Sequence, residues 1–84
     1  MFDLDRVAAS VPGWGLEFER GPGDDGVEEV AIFPRLGPRQ IFYSWVLYVR
    51  KEGFRYSISE PGYVGDMFDL MESIETSCAT GHSA

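Results

Sequence analysis

Cysteine and histidine each occur once in this 84-residue chain, as Cys78 and His82. A single cysteine cannot close an internal disulfide, and a secreted domain this small ordinarily needs several, so a reducing, cytoplasmic setting is expected. His82 stands in the small, polar stretch Ser77-Cys78-Ala79-Thr80-Gly81-His82-Ser83-Ala84, which is no platform for a general base that must lie within hydrogen-bond reach of a substrate. Cys78 has no histidine partner and falls on the apolar stripe of a helical pattern, so it reads as a small core residue. The glycines form neither G-x-x-x-x-G-K nor a helix-opening G-x-G-x-x-G, which removes the usual phosphate cradles. No apolar run approaches the ~20 residues of a membrane span. The opening Met1-Phe2-Asp3-Leu4-Asp5 lacks the basic and apolar regions of a signal peptide. No enzyme, cofactor or membrane association is expected from a chain so poor in this equipment.

Basic residues are also missing from the whole stretch after Arg55, and that absence is part of a larger pattern. Residues 1–29 hold eight acids against Arg6 and Arg20. Residues 30–59 hold only Glu52 against Arg35, Arg39, Arg50, Lys51 and Arg55, and residues 60–84 hold five acids and no base. The blocks carry −6, +4 and −5, for a net charge of −7. Charge of this size bears on solubility and choice of partner rather than on fold.

The chain has the length of one domain, placed over 1–76, with 77–84 expected as a disordered tail. Two Trp, four Tyr and six Phe are expected to supply a compact core without disulfides. Leu4, Val7, Ala8 and Val11 repeat at helical spacing behind Asp3, a natural N-cap, and Pro12-Gly13 stops them. The period then becomes two: Trp14, Leu16 and Phe18 mark a half-buried strand, and Val30 to Phe33 mark its return beyond the turn cluster Gly21 to Gly26. Ile41 to Val49 is the most β-like segment, with Ile41, Tyr43, Trp45, Leu47 and Val49 on one face. Phe54, Tyr56 and Ile58 alternate with polar residues in a last strand, and Met67, Leu70, Met71, Ile74 and Cys78 line a second helix. The predicted fold class is α+β: a four-stranded antiparallel meander with an N-terminal and a C-terminal helix packed on one face, in the order α-β-β-β-β-α.

Three clusters compete as functional surfaces. Asp24, Asp25, Glu28 and Glu29 crowd the first hairpin, but their spacing fails the calcium-loop pattern, so no metal site is expected. Phe42, Tyr48, Arg50 and Arg55 place aromatic and basic groups on one sheet face, as single-strand nucleic-acid binders do. The net negative charge opposes direct nucleic-acid binding, and the plainer reading buries these aromatics and pairs the arginines with acids across the sheet. Asp66, Asp69, Glu72 and Glu75 lie on the half of the second helix opposite its apolar arc. Phe68 projects near Glu72 and Glu75, either as an exposed anchor or folded against the sheet edge. With Asp24 and Asp25 they compose a carboxylate-rich surface.

In size and acidity the chain is similar in general character to phage-encoded inhibitors of host defence, anti-CRISPR proteins and DNA mimics among them. That resemblance rests on no motif, so it assigns no residue a role. It implies a small binding protein that modulates a larger nucleic-acid-handling protein by occupying its basic surface with carboxylates. The competing expectation is an interaction module or small subunit that pairs through a sheet edge, including as a homodimer, or through its aromatic sheet face.

Overall fold

The computed structural model describes residues 1–79, and it has the predicted α+β architecture. Helix α1 (Leu4–Ser10) leads through a 3₁₀ turn at Val11–Trp14 into strands β1 (Glu17–Pro22), β2 (Glu28–Phe33), β3 (Trp45–Arg50) and β4 (Gly53–Ile58). A second 3₁₀ turn at Pro61–Tyr63 opens helix α2 (Val64–Ser77). The sheet is an antiparallel meander in the order β1-β2-β3-β4. Val30, Ile32, Leu47 and Val49 project from its two central strands toward both helices and pack with Val7 and Val11 of the first helical segment and Met67 and Ile74 of α2. All eight are fully buried. Burying each such side chain contributes roughly 1.5–3 kcal/mol, which is what holds two short helices to the sheet.

Asp3 is the N-cap of α1: its Oδ1 accepts from the backbone N–H groups of Asp5 (3.1 Å) and Arg6 (3.2 Å). A helix of seven residues is marginal on its own, so this cap matters. Asp3→Ala is expected to cost about 1 kcal/mol, read in urea titrations as a lower midpoint with an unchanged slope.

The sequence-predicted boundaries move at several places. The first strand starts at Glu17 rather than Trp14, because Pro12 seeds the 3₁₀ turn and Gly15, at φ +73°, reverses the chain before any partner strand is in reach. The third strand starts at Trp45 rather than Ile41. Residues 34–44, with two prolines, form an irregular connection that leaves Ile41 88 % exposed, and Tyr43 turns to the opposite sheet face to stack on Phe33, with ring centroids 4.4 Å apart. The core itself is mainly aliphatic. Of the aromatics in the described residues only Trp45 and Phe33 are buried; the inward positions of the two central strands are otherwise filled by Val30, Ile32, Leu47 and Val49, and Tyr48 points to the opposite face.

Part of the expected tail also belongs to the fold. Ser77 ends α2, Cys78 is fully buried, and its carbonyl accepts from Asp3 N–H at 2.9 Å, while Ala79 bridges Phe2. Phe2 N–H also reaches the carbonyl of Lys51 (2.7 Å), and its ring meets Phe54. The chain start, the β3–β4 turn and the end of α2 are thereby tied together. The remainder of the tail expectation, and His82, lie outside the described residues.

Candidate functional surfaces

The first hairpin neutralises three of its acids, Asp25, Glu28 and Glu29, with arginine, while Asp24 has no ion pair among the described residues. Between β1 and β2 the chain turns through Gly26 at φ +81°, with Gly26 N–H donating to the Gly23 carbonyl at 2.9 Å. This brings the loop down onto the face of the sheet away from the helices. Gly23 passes so close to Glu29 that a Cβ there would stand 2.6 Å from the Glu29 carboxylate, so any larger residue would have to push that carboxylate and Arg50 aside. Beneath it, Glu29 Oε1 accepts from Arg50 Nη2 (3.0 Å) and Nε (3.2 Å) and from Arg55 Nη2 (3.1 Å). Arg50 also grips both carboxylate oxygens of Asp25, at 2.6 and 3.0 Å. Hydrogen bonds from the Arg50 side chain, then from the Val27 backbone, hold the Asp25 carboxyl below its ordinary value. On the other side of the hairpin Arg20 bridges Glu28 (2.8 Å) and Asp5 of α1.

The residues of the aromatic and basic cluster are therefore divided. Tyr48 and Arg55 meet, the guanidinium lying 5.0 Å from the ring centroid, and Arg50 is committed to Glu29 and Asp25. Phe42 sits in the 34–44 connection, 53 % exposed, outside the strands that carry the other three. Arginines already paired with carboxylates have little left to offer a phosphate.

Helix α2 is the opposite case. Met67, Leu70 and Ile74 bury its inner face, and Asp66, Asp69, Glu72 and Glu75 are exposed around the outer half. No basic residue lies on the helix, and no ion pair reaches any of the four among the described residues. Asp66, in the first turn, sits favourably in the dipole of the helix; Glu72 and Glu75, farther along, gain nothing from it. Phe68 combines the two alternatives read from sequence: its ring packs edge-on against Tyr56 of β4 with centroids 5.8 Å apart, yet it stays 46 % exposed. Tyr56, Ile58 and Phe68 thus form a half-exposed apolar strip along the β4 edge beside Glu72 and Glu75. Asp24 and Asp25 do not join this surface, since their hairpin covers the sheet face away from the helices.

One further feature escaped sequence reading. A groove of about 500 Å³ lies at the N-terminal end of α2, with Trp14, Trp45 and Tyr63 among its walls, Asp66 and Asp69 on one rim and Arg35 on another. Its members come from five separate segments, so no local spacing could signal it. Among the described residues no three metal-ligating side chains converge, and no helix is long and apolar enough to cross a membrane. Compared with protein-family models, with curated proteins and with solved structures, the chain matches none.

Proposed function

We propose that this domain is a non-enzymatic binding protein that lays the carboxylates of α2 against the basic surface of a larger, nucleic-acid-handling protein and so keeps phosphates from it. The observation carrying this reading is the contrast between the two acidic regions: Asp25, Glu28 and Glu29 are neutralised by arginine, whereas Asp66, Asp69, Glu72 and Glu75 are not. Exposed charge that the fold leaves unpaired steers and selects a partner. The strip of Tyr56, Ile58 and Phe68 beside it supplies the apolar contact that charges alone lack. Four carboxylates at three-residue steps rise ~4.5 Å per charge along the helix axis, comparable with the ~3.4 Å rise per phosphate along a nucleic-acid strand. The mimicry is accordingly of backbone charge, in the manner of an anti-defence inhibitor.

A second reading has its own observation. β4 is a sheet edge with Tyr56 and Ile58 half-exposed and Arg55 as its one charge, while the other edge, β1, is guarded by Glu17 and Glu19 and ends in Pro22. Pairing through β4, with a subunit or a second copy, would bury that strip.

Capture of the partner from the native host at low and high salt decides between them. Charge mimicry predicts binding that weakens steeply with salt, is competed by single-stranded nucleic acid, and falls at least about a hundredfold in Asp69→Lys/Glu72→Lys. Binding indifferent to salt and to that reversal, but lost on Tyr56→Ser, would replace the acidic helix with the β4 edge.

A further inference from the structure

We infer that the groove at the N-terminal end of α2 is a receptor for one arginine side chain of a partner protein. The inference rests on the acidic-helix reading and names the residue class that reading engages. The groove joins the two properties that a guanidinium selects for. Trp14, half-buried, and Tyr63, 53 % exposed, offer aromatic rings to a flat cation, and Asp66 and Asp69, one helical turn apart, offer carboxylates to its fork of N–H donors. A lysine ammonium fits less well, because it is a strongly hydrated point charge that does not stack.

Charge balance points the same way. Arg35, on another rim, lies 3.7 Å from Glu17, so that pair is nearly neutral and the field of the groove is set by the two aspartates. Neither aspartate has an ion-pair partner among the described residues. The volume, about 500 Å³, holds a long side chain together with part of its backbone and falls within the range of ordinary ligand sites.

Trp45 supplies the independent observation. It is only 3 % exposed and lines this groove, yet its indole N–H has no acceptor among the described residues. Among the described residues no sealed polar side-chain atom lacks a partner, so this N–H retains access to solvent. Because the little surface Trp45 exposes belongs to a residue that lines this groove, we take its free N–H to be available to an acceptor there, and the backbone carbonyl beside a docked arginine is such an acceptor.

The test uses the full chain, labelled with ¹⁵N, and Nα-acetyl-arginine methylamide as probe. Two tryptophans give two indole N–H signals, told apart by Trp14→Phe. The expected result is a saturable shift of the Trp45 indole signal in the millimolar range. Asp69→Asn, in the exposed middle of α2, should weaken that binding at least about tenfold while the backbone spectrum stays native. The citrulline analogue, of the same shape without charge, should give no saturable shift. Equal binding of the citrulline or lysine analogue, an unchanged affinity in Asp69→Asn, or no saturation by the arginine probe would each overturn the inference. Because the probe needs no partner, the two proposals fail separately. A silent groove with charge-dependent partner capture sinks only the receptor, and a saturable groove with salt-indifferent capture sinks only the proposed function.

Discussion

Leu47→Ala is expected to destabilise the domain by about 3 kcal/mol and to lower its thermal midpoint by roughly 12–24 °C. Leu47 is fully buried in the middle of β3, paired with Ile32 on one side and Tyr56 on the other, and both helices pack over that face. Removing its branched end leaves a cavity that neighbours on a sheet cannot close, so the lost transfer energy and the cavity add together. A domain of this size has only ~5–10 kcal/mol to lose. Ile41→Ala is the control. By alternation Ile41 belongs to the same face as Leu47, but it stands 88 % exposed in the 34–44 connection, and its truncation is expected to change stability by no more than about 0.5 kcal/mol. Chemical denaturation of the pair measures both. Equal effects would mean that the third strand begins at residue 41 after all.

Glu29→Ala is expected to cost about 2 kcal/mol, more than any exposed ion pair on this surface would. Glu29 is 7 % exposed, lies under the hairpin backbone at Gly23, and accepts three hydrogen bonds from Arg50 and Arg55. Without it Arg50 keeps Asp25 but loses its buried partner, and Arg55 keeps only the ring of Tyr48. The Arg35–Glu17 pair, at 3.7 Å with the arginine 83 % exposed, is the comparison that should scarcely register. The same network responds to acid. Asp25, held below its ordinary value of 3.8 by Arg50, contributes stability that is complete above that pH and is lost as pH falls through the depressed value. Denaturation between neutral pH and pH 3 should therefore show a steeper acid loss in the wild type than in Asp25→Asn. Identical pH profiles would show that the Arg50–Asp25 contact does not persist in solution.

Much of the sheet layer was legible because its signal is local. Val30 and Ile32, then Leu47 and Val49, alternate inward as period-two patterns require, and Met67, Leu70 and Ile74 repeat as one face of a helix requires. Boundaries were less legible. Trp14, Leu16, Ile41 and Tyr43 satisfy alternation as well as any core residue, but whether a β-like segment pairs depends on a neighbour within hydrogen-bond reach, and the turns at Pro12-Gly15 and across 34–44 deny it one.

The separation of charge along the chain was determined by sequence alone, as were the element order and the apolar faces, since each follows from residue type and short spacing. Which charges remain available was decided only by the tertiary structure. Asp25 and Glu29 meet Arg50 because the hairpin folds back onto β3, a contact across 21 to 25 residues that no periodicity encodes, and the acids of α2 stay unpaired because the helix carries no base and Arg35, which shares a groove with two of them, pairs with Glu17 instead. The groove between Trp45 and Asp69 exists for the same reason: its walls are distant in the chain, and only the packing of α2 on β3 brings them together.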